Sequence, residues 1–322
     1  MLILIGLLLS GCGGDDNNND ARPAAAVTPT PGADSAEVWI LPVPDARALA
    51  FRPDGARLAV GSGELIWLYS GALEPIQTLK GHSEAVRGLT WSPDGSRLAS
   101  AALDFTARVW DADGKSLATL KGHTDWVTAV AWSLDGSKLV TASTDHTARL
   151  WDAASFEQIG VLDHAASLTA AIWSPDGKQI VTGSSDGTLY LWEAASLAQT
   201  GTLSHNDSIS AAAWSPDGAW IASSSWDNTV KIWDAATAAG RLTLDDSPAR
   251  LIALAWSPDS RLIAAGARDG AVWVWDAASG DVVSTFQIGA EVRAVAWSSD
   301  GVWLVASAVD GKVYVWDVTG LE

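Results

Sequence analysis

A five-residue phrase, Trp-Ser-Pro-Asp-Gly, returns with small variations seven times along this chain. Its copies begin at Phe51, Trp91, Trp132, Trp173, Trp214, Trp256 and Trp297, at successive intervals of 40, 41, 41, 41, 42 and 41 residues. A period so regular means one architecture spread over most of the 322 residues rather than two unrelated domains. Each copy is one supersecondary unit that must bury its apolar faces against its neighbours.

The copies share an internal order. An alternating apolar strand runs into the anchor aromatic, a Pro-Asp-Gly type turn reverses the chain, and a second short strand follows. The next turn carries Asp104, Asp145, Asp186, Asp227, Asp269 or Asp310, and a tryptophan follows six residues later. A last strand such as Ser116–Leu120 leads into the next copy. Four short antiparallel strands at this spacing make one blade of a propeller, and seven blades close into a ring. After Trp316 the sequence given leaves no room for a fourth strand. The stretch Glu37-Val-Trp-Ile-Leu41, which precedes the first anchor, has the composition to supply it and to lock the two ends together. The expected fold is therefore an all-β, seven-bladed propeller over residues 36–322, closed by an N-terminal strand in the last blade.

On these motifs the chain resembles the WD-repeat propellers. That resemblance implies a buried tetrad in each standard blade, made of a histidine, a hydroxyl residue, the turn aspartate and a tryptophan. Matched by position, the tetrads are His82-Ser100-Asp104-Trp110, His123-Thr141-Asp145-Trp151, His164-Thr182-Asp186-Trp192 and His205-Ser223-Asp227-Trp233. An imidazole can bridge a carboxylate and a hydroxyl while the indole N–H donates, so these residues are expected to be structural. Blades six and seven lack the histidine and carry Ala265 and Ala306 in place of the hydroxyl. Blade one has Leu68-Tyr69 where Trp-Asp would fall. The ring seam is expected to be its weakest part.

The formal charge of -18 would oppose binding to nucleic acid or anionic membranes if it were spread evenly. Half of the 38 acidic residues, however, recur at three repeat positions in or beside turns, so much of the acidity is turn chemistry. Four of the five histidines fall in tetrad slots on separate blades and cannot converge on a metal; His146 sits alone in a turn. Gly183-Ser-Ser-Asp-Gly187 matches a nucleophile-elbow pattern, but it falls in a hairpin rather than a strand-to-helix turn. No phosphate loop or dinucleotide fingerprint is present. We expect no enzyme activity, no cofactor and no metal.

In the family the chain resembles, partners bind the top face, through residues just before the first strand of a blade and in the loop joining its second and third strands. The corresponding positions here include Arg47, Arg87, Arg250, Arg268 and Arg293, from blades six, seven, one and two, which are consecutive in a closed ring. Arginine forks take carboxylates or phosphates bidentately. Asp45, Glu84 and Glu291 are the local acids that could instead neutralise them. Trp126 and Trp226 occupy the same face outside the repeat's tryptophan slots, and exposed tryptophan is a frequent interface anchor. The expected role is a monomeric protein-interaction scaffold, its partner contributing an acidic segment. The alternative is a receptor for a small anionic ligand or glycan at the central opening.

Residues Leu2 to Leu9 form an apolar run too short to span a membrane but long enough for a signal-peptide core. It ends in Leu9-Ser10-Gly11-Cys12, which resembles the lipobox of bacterial lipoproteins and implies cleavage after residue 11 and lipidation of Cys12. Cys12 is the only cysteine in the sequence. Residues 12–35 are polar and proline-rich and read as a flexible tether. The expected location is extracytoplasmic, held at a bacterial membrane or envelope by the lipid alone.

Overall fold

A computed structural model of the chain describes residues 27–31 and 37–321. Cys12, the signal sequence and most of the expected tether lie outside the described residues. Seven antiparallel sheets follow one another, and their innermost strands pack side by side in chain order until that of the last sheet meets that of the first. The ring is closed.

We call the strands of a blade a to d from the axis outwards. In blade two they are Val86–Trp91, Arg97–Ala102, Ala107–Asp111 and Ser116–Leu120. Strand b is sandwiched, with all five residues from Leu98 to Ala102 buried. This explains its small and aliphatic composition: both faces of each sheet meet a neighbour, as buried strands require. Seven apolar clusters result, and each joins two adjacent blades, for example Val305, Val313 and Val315 of blade seven with Leu58, Val60 and Tyr69 of blade one.

The anchor tryptophans also stitch blades together. The indole N–H of Trp91 donates to the Ala50 carbonyl (3.2 Å), Trp132 to Thr90 (3.3 Å), Trp256 to Ala213 (3.2 Å) and Trp297 to Ala255 (3.3 Å). Each bond reaches the residue before the previous blade's anchor. Trp173 and Trp214 hold the same slot with the N–H unpaired. Blade one has Phe51 there and has no donor to offer across the seam. An apolar pocket of about 230 Å³ lies at that seam, bounded by Phe51, Gly71 and Leu73 of blade one and Trp39 and Trp303 of blade seven.

Ring closure follows the expected route. Glu37–Pro42 is strand d of blade seven and pairs antiparallel with Lys312–Asp317, from Val38 opposite Trp316 to Pro42 opposite Lys312. Leu41 and Val43 behind it are fully buried. The domain begins earlier than residue 36, however. Val27–Pro31, within the span read as tether, pairs with Glu37–Ile40 as a fifth strand. An outermost strand needs only one hydrogen-bonded side, which is why a segment with two prolines can serve there.

Blade one corrects a second reading. Tyr69, not Leu68, occupies the tryptophan slot, because Leu58 pairs with Tyr69 as Leu98 pairs with Trp110. The turn between strands b and c is shorter there, passing directly from Ser62 to its partner Leu65. Buried without a hydrogen-bond partner, the Tyr69 hydroxyl has its pKa driven well above its ordinary value.

Candidate functional site

Three of the four tetrads form as expected. In blade two His82 reaches Asp104 (2.8 Å) through Nδ1 and Ser100 (2.8 Å) through Nε2, and Trp110 donates to the Ser100 hydroxyl (2.9 Å). In blade three His123 joins Asp145 (2.8 Å) and Thr141 (2.8 Å), with Trp151 donating to Thr141 (3.0 Å). In blade five His205 joins Asp227 (3.0 Å) and Ser223 (2.8 Å), with Trp233 donating to Ser223 (2.9 Å).

Blade four departs from its expected tetrad. His164 keeps Thr182 (2.8 Å), and Trp192 donates to that hydroxyl (3.0 Å), but His164 Nδ1 turns to the Leu162 carbonyl (3.1 Å). Asp186 instead accepts from the Tyr190 hydroxyl (2.9 Å). Tyr190 stands where the intact tetrads have Arg108, Arg149 and Lys231, none of which ends in a hydroxyl that could cap the carboxylate. Tyr314 does the same for Asp310 in blade seven (2.7 Å). Blade six replaces the bridge altogether: Ser247 stands in the histidine's slot, and Asp246 beside it accepts directly from Trp275 (2.9 Å).

These networks are closed on themselves. Burial lowers the pKa of His123 and His205 even though Asp145 and Asp227 pull it up, so both rings are held neutral. Burial works to raise Asp145, but hydrogen bonds from Thr147, the Thr124 amide and His123 outweigh it and bring its pKa to about 2. The turn aspartates after strand a are also committed: Ser92 and Ser96 both donate to Asp94, which lies at about 2. His146 is exposed in its turn, and Gly183–Gly187 is a hairpin between Gln179–Ser184 and Thr188–Glu193. Among the described residues no group of three or more His, Cys, Asp or Glu is placed to hold a metal ion.

The top face is different. All seven a strands carry a bulge after their first residue, so that the second residue faces no partner in strand b. A bulge re-aims the extra side chain. Here the unpaired residues are Arg47, Arg87 and Arg293 on blades one, two and seven, and all three line the mouth of the central channel. Arg250 and Arg268 join them from blade six, their loops tied by the Arg268 amide donating to the Arg250 carbonyl (2.9 Å). Arg250 also lies over the ring of Trp226, 4.8 Å from its centroid. All five predicted arginines and Trp226 thus border one cavity of about 750 Å³.

Two carboxylates answer them. Asp45 pairs with Arg47 (2.8 Å), and Glu291 lies between Arg293 (3.3 Å) and Arg268 (3.6 Å). The pKa of Arg87 is lowered first by burial in the channel mouth and then by the positive charges of Arg47 and Arg293, with Asp45 opposing. The mouth is a site of unbalanced positive charge on an acidic protein.

Trp126 is half exposed on the same face but does not line this cavity. Sequence reasoning missed a neighbour of the same kind. Phe105 is 43% exposed in the b–c turn of blade two, at φ 66°. Equivalent turns hold Gly187, Gly270, Gly311, His146 and Asn228, residues that take a left-handed backbone more readily. A phenylalanine in that column was a legible signal, because a bulky exposed residue there costs stability and gains no packing.

The fold and this site define a closed seven-bladed propeller with a basic top face. Comparison with known proteins then gives the family. Models of the WD domain, G-beta repeat, match residues 73–111, 114–152, 156–193 and 197–234, and the anaphase-promoting complex subunit 4 WD40 domain matches 242–299. The chain belongs to the WD40-repeat propellers. It is 42% identical over 65 residues to an intraflagellar transport protein 122 homolog of Danio rerio, covering 19% of this chain and 5% of that protein. It is 39% identical over 72 residues to WD repeat-containing protein 1 of Gallus gallus (21% of this chain, 12% of that protein). With nucleoporin Nup37 of Drosophila melanogaster it shares 36% over 78 residues (21% and 24%). The chain spans a small part of each relative it matches.

Proposed function

We propose that this protein is a non-catalytic interaction scaffold whose top face receives an acidic segment of another protein. One observation carries the reading: strand a bulges and adjoining loops turn five arginines into one channel mouth, where two carboxylates pair with them. Guanidiniums are strong, directional partners for carboxylates. Exposed Phe105 and Trp126 supply apolar contacts on the same face. The relatives include proteins named as an intraflagellar transport protein and a nucleoporin, and neither name is that of an enzyme.

Affinity purification from membranes, compared between the wild type and Arg87→Glu plus Arg293→Glu, tests this. The double variant is expected to lose the partner, and equal recovery from both overturns the top-face reading. The proposed monomeric scaffold sits outside the cytoplasm, and the proposed anchor is a lipid on Cys12. Cys12→Ala should then move the protein from the membrane to the soluble fraction, with loss of an acyl mass from its N-terminal peptide; retention on membranes would count against the anchor.

A further inference from the structure

At the end of strand a remote from the arginine mouth, several blades are clasped to the next by an arginine, and the ring seam is not. Arg57, the first residue of strand b in blade one, donates to the Ala112 carbonyl in the c–d turn of blade two, and Arg97 of blade two donates to the Ala153 carbonyl of blade three (2.7 Å). Blade five has Trp220 at that position, and there Arg241 covers the ring, 4.0 Å from its centroid, and donates to the Ala278 carbonyl of blade six (3.3 Å). Each guanidinium closes the gap between one sheet and the turn of its neighbour.

At the seam the same position belongs to Trp303 of blade seven. The carbonyl opposite it is that of Gly71, because the Gly71 amide donates to Ala56 (2.9 Å) as the amides of Ala112 and Ala153 donate to Ser96 and Ser137 (both 2.9 Å). No guanidinium bridges to it. Trp303 instead packs edge-on against Trp39, with ring centroids 4.9 Å apart and planes at 86°. Phe51 adds a second deficit, since a benzene ring stands where six blades have an indole. The two departures coincide with the pocket of about 230 Å³, walled by Trp39, Phe51, Leu73, Trp303 and the buried Val315.

The four largest of these side chains stay partly exposed. Apolar cavities of about 150 Å³ take a benzene ring, so this one has room for a single bicyclic ring. Among the described residues no ionisable side chain lines it, which makes burial of a charged ligand costly. Three aromatic walls favour a flat aromatic guest. We infer that the seam pocket binds a small neutral aromatic heterocycle of indole size, its ring against Trp39, Phe51 and Trp303 and its N–H donating to the Gly71 carbonyl. Such a ligand supplies both things the seam lacks, a ring beside Phe51 and a donor to the blade-one turn. The pocket shares no lining residue with the arginine mouth.

Calorimetric titration of the full chain with indole, benzofuran and benzene tests it. Indole should bind once per chain and raise the melting temperature, as a ligand of the folded state alone must. Benzofuran, of the same size but without the N–H, should bind about fivefold more weakly. Benzene, with less surface to bury, should bind about tenfold more weakly. Phe51→Trp, which fills the pocket from within, and Trp303→Arg, which offers Gly71 the clasp seen in blades one and two, should each abolish indole binding; their melting curves establish that they are folded. Absence of indole binding by the wild type, equal affinity for indole and benzofuran, or unchanged indole binding by either folded variant would each overturn the inference.

Discussion

Deletion of Ala36 to Val43 is expected to abolish the single cooperative unfolding transition in thermal and urea melts. These residues supply strand d of blade seven. Five register pairs to Lys312–Trp316 would go, together with the bond from the Val43 amide to the Gly311 carbonyl (2.9 Å) and the fully buried Leu41 and Val43. Burial of each such side chain contributes about 1.5–3 kcal/mol, and exposure of the partner strand and of the Trp303 ring, 4.9 Å from Trp39, adds to the loss. The sum approaches the entire stability of a typical domain, about 5–15 kcal/mol. Leu41→Ala is the graded control. It should cost about 2–5 kcal/mol and keep a single transition. A deletion variant that melts as one unit at the wild-type temperature would show that this strand does not hold the ring closed.

His123→Ala and His164→Ala are expected to differ, although the sequence pattern treats the two histidines alike. In blade three the substitution takes a charge-assisted contact from Asp145, which keeps Thr147 and the Thr124 amide, and one contact from Thr141, which keeps Trp151, at a cost of about 3 kcal/mol. Asp186 in blade four has Tyr190 and loses no contact, so His164→Ala should cost about 1–2 kcal/mol. Urea denaturation measures both, and equal losses would mean that the rearrangement of blade four has no energetic consequence. Acid gives the companion signature. His123, His164 and His205 titrate below their ordinary value in the folded chain, so the unfolded chain takes up protons first. Their contribution is fully present above pH about 6.5 and is lost as pH falls below it. Asp145 and Asp227, at about 2, add a second decline from pH about 4 downwards.

The propeller was legible because its evidence is periodic: seven anchors, turn aspartates and paired tryptophans report one register many times over. What escaped sequence reasoning is confined to one or two blades. The one-residue shortening of the blade-one turn, the bond from Trp275 to Asp246 and the capture of Asp186 by Tyr190 each depend on a local departure that the repeat pattern does not constrain. The arginines of the mouth could be located by counting, since their positions are set relative to the anchors. Why they face the channel could not, because a bulge is a property of strand pairing and leaves no mark in the residues it displaces. The pairing of Arg47 with Asp45, and of Arg268 and Arg293 with Glu291, stood in the sequence as the alternative to free arginines, since the acids lie nearby in the chain; which of them pair depends on rotamers.

The closing strand is also where the chain enters the domain, and that gives the ring a mechanical polarity. A load applied at the N-terminal end first reaches Val27–Pro31, which can be drawn off its neighbour without opening any blade. Further pulling meets Val38 opposite Trp316 and then works towards Pro42 opposite Lys312, one pair at a time, in the manner of a zip rather than of a bolt in shear. Beneath that zip lie Phe51, which cannot donate an indole bond across the seam, and the apolar pocket beside it. The protein should therefore yield at low force and in small steps from this one end, while a pull between two interior blades meets the indole bonds of the anchors and resists far longer.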